Sequence, residues 1–251
     1  MASGWGNPKM NQPTFSRKST RRYWMPDGGN GLVVFLDGNP HITCEHQAEI
    51  GGDFKNWIVC TKAYEQEPCP VCAHCAERDL ECPSMWAAFL TVCSLYTNKQ
   101  GQETAVKSLF GMKQGTYKII EDMLKARAKG GAPDATGWMV RIARIGAKSP
   151  NVGSSFDFQR HLTAAETKAD MAPLMSWIGE MTPPDKGPPL TLDSYLVPYD
   201  YKKLFKLPTP DEYRAFIATA TFRKQGSRSF GGGSTRGSGQ APIDNDSDIP
   251  F

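Results

Sequence analysis

The sequence predicts a mainly β domain with helices: an OB-type barrel carrying an inserted metal-binding subdomain, a helical C-terminal appendage and disordered tails. Three observations lead there. Short apolar runs bounded by Gly, Pro and Asn turns recur between residues 32 and 158. One helix-periodic stretch falls late among them, and a cluster of His and Cys falls early. An OB barrel is five coiled antiparallel strands whose loops bind oligonucleotides, and this order of elements suits it.

In chain order, residues 1–20 are polar, with Gly4, Gly6, Pro8 and Pro13, and read as a flexible basic arm. The turn Gly28-Gly29-Asn30-Gly31 precedes Leu32-Val33-Val34-Phe35-Leu36, a short strand apolar on both faces. A second turn, Asp37-Gly38-Asn39-Pro40, leads into an extended segment holding His46, and residues 54–61 read as the next strand, with Cys60 on it. Residues 85–96 form a long strand that turns at Asn98-Lys99-Gln100-Gly101 and pairs with residues 104–110. Thr116 can cap a helix over 116–129, with Tyr117, Ile120 and Leu124 on one face and Gly130-Gly131 as its stop. Strands over 138–145 and 155–158 complete the barrel, which spans residues 21–160.

Residues 161–222 read as the helical appendage, with a helix over 164–178 and a Pro-rich connector over 183–189. There Thr209-Pro210-Asp211-Glu212 is a capping box with Pro at the first helical position. Residues 223–240 are a Gly/Ser/Arg linker, and 241–251 an acidic tip.

Of the 251 residues, 39% are hydrophobic and 10% aromatic, enough for a sizeable core. The net charge of +3 is unevenly placed. Lys9, Arg17, Lys18, Arg21 and Arg22 stand in the first 22 residues without an acid, while Asp244, Asp246 and Asp248 stand near the end without a base. That polarity points to an anionic partner for the body and a separate role for the tail. Seven cysteines, an odd number gathered about one motif, argue against a secreted disulfide framework. With no apolar leader and no run long enough to span a bilayer, a soluble cytoplasmic protein is expected.

The His/Cys cluster carries the chemistry. Cys69-Pro70-Val71-Cys72 is a C-x-x-C pair on a tight turn, so two thiolates can face one ion. His46 and Cys60 lie on either side of Gly51-Gly52-Asp53, which can bring both back beside that turn. Zn²⁺ takes four such N/S ligands in closed structural sites. The subdomain spans about 44–82; His46 is the fourth ligand of choice, while Cys44, His74, Cys75 and Cys82 lie near enough to compete. Buried cysteines also behave as small hydrophobes, but Glu65, Gln66, Glu67 and Pro68 around the pair are no core sequence.

These residues resemble single-stranded-DNA-binding proteins in two ways. Over roughly 17–160 the chain resembles the T-even phage helix-destabilising protein family. The shared features are the basic motif Arg17-Lys18-Ser19-Thr20, the turn Gly29-Asn30-Gly31 before an apolar strand, and a His-Cys-Cys-x-x-Cys zinc pattern ending in Cys-Pro-Val-Cys. The chain departs from that family in the His46–Cys60 interval, in the sixteen residues ahead of the basic motif, and in its tail. Asp248-Ile249-Pro250-Phe251 is instead similar to the acidic tip of bacterial single-stranded-DNA-binding proteins. The resemblance implies one structural zinc, a coat for single strands in replication, recombination and repair, and a bacterial cytoplasm if the chain is phage-encoded. It further implies neighbour contacts along the strand through Arg17, Lys18, Ser19 and Thr20. Replication, recombination or repair enzymes would be recruited through Asp246, Asp248, Ile249, Pro250 and Phe251.

A sequence-tolerant single-strand binder needs cations for phosphates and aromatic faces for bases. Lys55, Trp57, Lys62 and Tyr64 flank the metal loop; Trp86, Lys107, Phe110 and Lys113 follow; Arg141, Arg144, Lys148 and Phe156 complete the candidate surface. An enzyme is disfavoured, because no acid/base pair, P-loop or nucleophile motif stands in a convincing context. A zinc-containing RNA-binding or transcription-regulatory protein is the rival reading.

Overall fold

The structure, a computed structural model, describes residues 21–64, 68–97, 103–128, 131–172 and 191–225. The basic motif Arg17-Lys18-Ser19-Thr20 and the acidic tip from Asp246 to Phe251 lie outside those residues.

Seven strands form one sheet: β1 (Asn30–Phe35), β2 (His41–Ile50), β3 (Asp53–Val59), β4 (Ser84–Thr97), β5 (Glu103–Met112), β6 (Trp138–Ala143) and β7 (Ser155–His161). The order is β3-β2-β4-β1-β6-β7, with β5 on the other edge of β4, and every pair of these strands is antiparallel. The 14-residue β4 is the spine. Its first half takes β2 and its second half β1 along one edge, while β5 runs along the other. Turn chemistry sets the β2–β3 hairpin, where Gly51 and Gly52 hold φ of +60° and +87°, values that side chains with a Cβ rarely adopt.

Both faces of the spine are buried, which explains its unbroken apolar run. Val33, Phe35, Ala88, Leu90, Val92, Phe110, Met112, Val140, Ile142 and Phe156 pack on one side with Ile120 and Leu124 of α2 (Gln114–Arg127). On the other side, Val34, Cys93, Ala105 and Met139 meet Leu162, Met171 of α3 (Ala164–Met171) and Leu192 of α4 (Leu192–Leu196). Val59, Ala87, Phe89 and Leu109 meet Phe205, just beyond α5 (Tyr201–Leu204). Asp37 anchors this second layer. Its carboxylate accepts from Thr91 N–H at 3.0 Å and from the Tyr201 hydroxyl. Burial raises its pKa in spite of those bonds.

The sheet curls but does not close into the five-stranded barrel expected from the sequence. Between β5 and the β6–β7 loop runs an irregular segment. Leu109 N–H donates to Arg21 O and Tyr23 N–H to Leu109 O, then Met25 N–H donates to Asn151 O and Gly28 N–H to Arg144 O. Phe110 and Phe156 meet edge-on beneath it, with ring centroids 6.4 Å apart. Other boundaries move for local reasons. Helix α2 starts at Gln114 behind Lys113 as N-cap, and Thr116, expected to cap, is buried in its first turn. Helix α3 ends at Met171 with Ala172 as its C-cap, and residues 173–178 of the helix expected over 164–178 fall outside the described residues. The capping box at Thr209 is formed: its side chain accepts from Glu212 N–H at the head of α6 (Pro210–Thr219), with Pro210 in the first turn.

Phe205 is 2% exposed and stacks on His41 with centroids 5.1 Å apart. Truncating a buried Phe to Ala costs about 3–5 kcal/mol. Phe205→Ala should therefore lower unfolding free energy by that amount in urea titration. A loss below about 1 kcal/mol would show that the second layer does not fold with the sheet.

Candidate metal centre

The β2–β3 hairpin builds half of the centre. His46 lies opposite Ile58 in the ladder, and Cys60 N–H donates to Cys44 O at 2.8 Å just past its end. Side chains alternate along a strand, so Cys44, His46 and Cys60 share one face of the hairpin. The other half is α1 (Pro70–Glu77), which stands where the sequence suggested only a tight turn. Pro70 fixes φ at its first position, where the missing N–H costs nothing. Cys69 is the N-cap and Cys72 lies in the first turn, so both sulfurs sit at the positive end of the helix.

The donor atoms of His46, Cys60, Cys69 and Cys72 lie within 4.8 Å of one another. Two thiolates on one zinc, each about 2.3 Å from the metal at the tetrahedral angle, stand about 3.8 Å apart, and a thiolate and an imidazole nitrogen about 3.6 Å. Cys60 and Cys72 sulfurs are 3.8 Å apart. His46 Nε2 lies 3.2 Å from Cys69 Sγ and 3.8 Å from Cys72 Sγ. The four donors can therefore hold one ion, and three sulfurs with one imidazole make a donor set of structural zinc sites.

Electrostatics point the same way. Hydrogen bonds from Cys60 and Cys72 hold the Cys69 thiol far below its ordinary range, with His46 adding to the effect. Contacts with Cys44 and Cys69 push Cys60 up, and those with Cys60, Cys69 and Cys82 push Cys72 up. Cys44 and Cys82 are held down as well, so lowered and raised thiols alternate through the cluster, and a cation at the centre would relieve that conflict. Burial pulls the His46 pKa down, but bonds to Cys69 and Cys82 outweigh it and the net shift is upward. Lys62 is held above its usual value, first by Cys72.

The competing donors separate clearly. His74 turns away, its Nδ1 accepting from Arg78 at 2.8 Å and its ring lying against Phe222. Cys44 and Cys75 are buried in the cluster around the centre with Ile58, Tyr213 and Phe216. Cys82 reaches two of the four donors, 3.6 Å from Cys72 Sγ and 3.7 Å from His46 Nδ1.

The residues expected to contact a strand divide by burial. Phe110 and Phe156 are core side chains, 0% and 7% exposed, so neither ring is open to a base. Arg144 is buried too. Its guanidinium donates to Met25 O and Ala147 O, both at 3.0 Å, and clamps the irregular segment to the β6–β7 loop. Trp57 is covered by Arg22, whose Cζ lies 4.1 Å from the ring centre, and Arg22 in turn grips Glu45 at 2.7 Å. Lys107 Nζ donates to Val197 O over the Tyr199 ring. Trp86 is half-buried against the metal cluster. Lys55 lies on β3, but its side chain is not among those described.

Lys62, Lys113, Arg141 and Lys148 are exposed, and Tyr64 is 38% exposed with its hydroxyl bonded to Phe205 O at 2.7 Å. Sequence reading passed over Trp24, which is 61% exposed between the half-buried Tyr23 and the buried Met25. The aromatic pair Tyr23-Trp24 directly after Arg21-Arg22 was the available signal.

Compared with protein-family models and with curated proteins, the chain matches none.

Protein purified without chelator should carry one zinc per chain, and Cys72→Ser should lose it, as read by elemental analysis. Binding at such sites is also folding free energy, on the order of 10 kcal/mol in small zinc peptides. Chelation should therefore lower the thermal midpoint sharply. Zinc-free wild-type protein, or full zinc in Cys72→Ser, would overturn the assignment.

Proposed function

We infer that the chain is a sequence-tolerant single-stranded DNA-binding protein that coats strands during replication, recombination and repair. In this reading its curled sheet is an elaborated OB-type platform, and the metal centre is a structural zinc. The observation that carries the reading is an exposed aromatic, Trp24, on a segment bonded to the loop that carries the exposed Lys148. Backbone bonds lay residues 25–29 along residues 144–151, which brings Trp24 beside the loop that carries Lys148, while Arg21 is bonded to Leu109 of β5. Arg141 is exposed on the adjoining β6, opposite Leu32 and Asp157. Cations neutralise phosphates without reading sequence, and an indole face stacks on any base.

The metal centre supplies rigidity in this reading. With four protein donors the ion has no open position for hydrolysis. It ties the β2–β3 hairpin to α1 and thereby holds the short helical turn Thr61–Tyr64, with Lys62 and Tyr64, as a fixed wall. The basic motif Arg17-Lys18-Ser19-Thr20 would make neighbour contacts along the strand. The tip ending in Phe251 would dock into a basic, apolar pocket on a partner enzyme.

One titration tests the core of this reading: affinity for mixed-sequence single-stranded DNA, RNA and duplex across a salt series. Log affinity for the single strand should fall linearly with log salt, by about 0.7 per phosphate contact. Arg141→Glu and Lys148→Glu should each reduce that slope. Trp24→Ala should weaken binding by about 1–3 kcal/mol at every sequence, since stacking is base-tolerant. A preference for RNA would favour the RNA-binding alternative, and a preference for duplex or a salt-independent affinity would overturn the groove.

The tail has a separate test. Deleting Phe251 should abolish recovery of partner enzymes from host extract while leaving strand affinity unchanged. Unchanged recovery would show that the tip is no docking peptide.

A further inference from the structure

A histidine that binds metal through one nitrogen carries its proton on the other. His46 presents Nε2 to Cys69 and Cys72, so the metal-facing lone pair is on Nε2 and the proton belongs on Nδ1. His46 is 0% exposed, and water cannot take that proton as a partner. A buried N–H left unpaired is destabilising, because it loses its water partner and gains none. Metal-bound histidines ordinarily give this second N–H to a carboxylate, a carbonyl or water. Here the partner that the structure gives Nδ1 is a sulfur, Cys82 Sγ at 3.7 Å.

Cys82 is held in place for the task. The residue before it, Glu81, donates its N–H to Arg223 O at 2.8 Å, and the residue after it, Pro83, accepts from Gln47 N–H of β2 at 3.1 Å. Both neighbours are thus tied into the fold, one to the segment after α6 and one to the strand that carries His46. The sulfur also has a place for its own proton, because Cys82 donates to Cys72 Sγ at 3.6 Å. That sulfur therefore stands between His46 and Cys72, within hydrogen-bond reach of both. A neutral thiol there accepts from one metal ligand and donates to another.

Resting on the assignment of a metal centre, we propose that Cys82 is a positioning residue rather than a ligand: its thiol accepts the Nδ1–H of His46, donates to Cys72, and so aims Nε2 at the ion. This fourth sulfur beside the ion is then a brace between two ligands. It fixes the imidazole tautomer and limits the charge on one thiolate.

Cobalt(II) loaded into the full-length protein tests this, because sulfur-to-cobalt charge-transfer absorption grows with the number of bound thiolates. The wild type should show bands of a three-thiolate site. Cys82→Ala should keep the same absorption per cobalt but lose roughly 10–100-fold in cobalt affinity against a competing chelator, the usual effect of removing such an outer partner. Cys82→Ser should recover much of that affinity, since a hydroxyl both accepts and donates.

A second measurement covers the case in which Cys82→Ala fails to fold. In the ¹⁵N-labelled zinc protein, the tautomer of wild-type His46 should be Nδ1-protonated and slow to exchange. Loss of charge-transfer intensity in Cys82→Ala or Cys82→Ser would make Cys82 a ligand and overturn the proposal. Undiminished affinity in Cys82→Ala would overturn it too, as would an Nε2-protonated ring. Absence of charge-transfer absorption in wild type would instead overturn the metal centre beneath it.

Discussion

The structure depends on β4 being buried on both faces and paired on both edges. Two-sided burial forces two layers to exist. The inner side needs α2 and the curled-over β6–β7 pair, and the outer side needs the helices that follow β7. Leu90 and Val92 point one way while Phe89 and Cys93 point the other, and each of the four is at most 1% exposed. At about 25 cal/mol per Å² of apolar surface removed from water, leaving either side bare would forfeit a large share of a margin that totals only about 5–15 kcal/mol. The C-terminal helices are therefore part of the domain's core, and the polar anchors Asp37, Thr91 and Tyr201 fix where they sit.

That second layer limits what surface the sheet can offer to a partner. The outward face of β4 and β5, where Lys107 and the rings of Tyr199, Tyr201 and Phe205 lie, is occupied by the chain itself. Among the described residues, Arg21, Trp24, Arg141 and Lys148 stay exposed, as do Lys62 and Tyr64 beside the metal centre. The metal centre adjoins the turn Thr61–Tyr64, so its effect on the surface there passes through the rigidity of residues 61–64.

Much of the architecture could be read from the sequence, because turns and periodicity are local signals. Gly51-Gly52, the long run of β4 and the box at Thr209 all depend on near neighbours, and the structure places elements there. So does the donor set, since His46, Cys60, Cys69 and Cys72 are distinguished by chemistry and spacing. What could not be read is long-range. No pattern within residues 141–146 shows that Arg144 turns inward to Met25 O while Arg141 stays outside. Phe156 next to Asp157 looks exposed until β7 is paired with β6 and its alternation fixes Phe156 inward. Barrel closure failed as an expectation for a related reason. Strand pairing from β5 across to β7 depends on the irregular segment after Arg21, which has no strand signature. Helix α1 was missed because Cys-Pro-Val-Cys reads as a turn until Pro70 is seen as a helix start.

The order in which the metal donors occur along the chain bears on how the protein is made. All four lie between residues 46 and 72, ahead of the first residue of β4. Contacts between near neighbours form early because little loop entropy opposes them, and synthesis delivers the N-terminal portion first. A nascent chain halted before Ser84 already holds every donor, on one hairpin and one short helix. The ion can thus be captured before the central strand exists, and the finished centre then offers β4 a rigid edge in β2 on which to pair. Cys82 emerges only after the four donors, so in birth order the brace follows the ion.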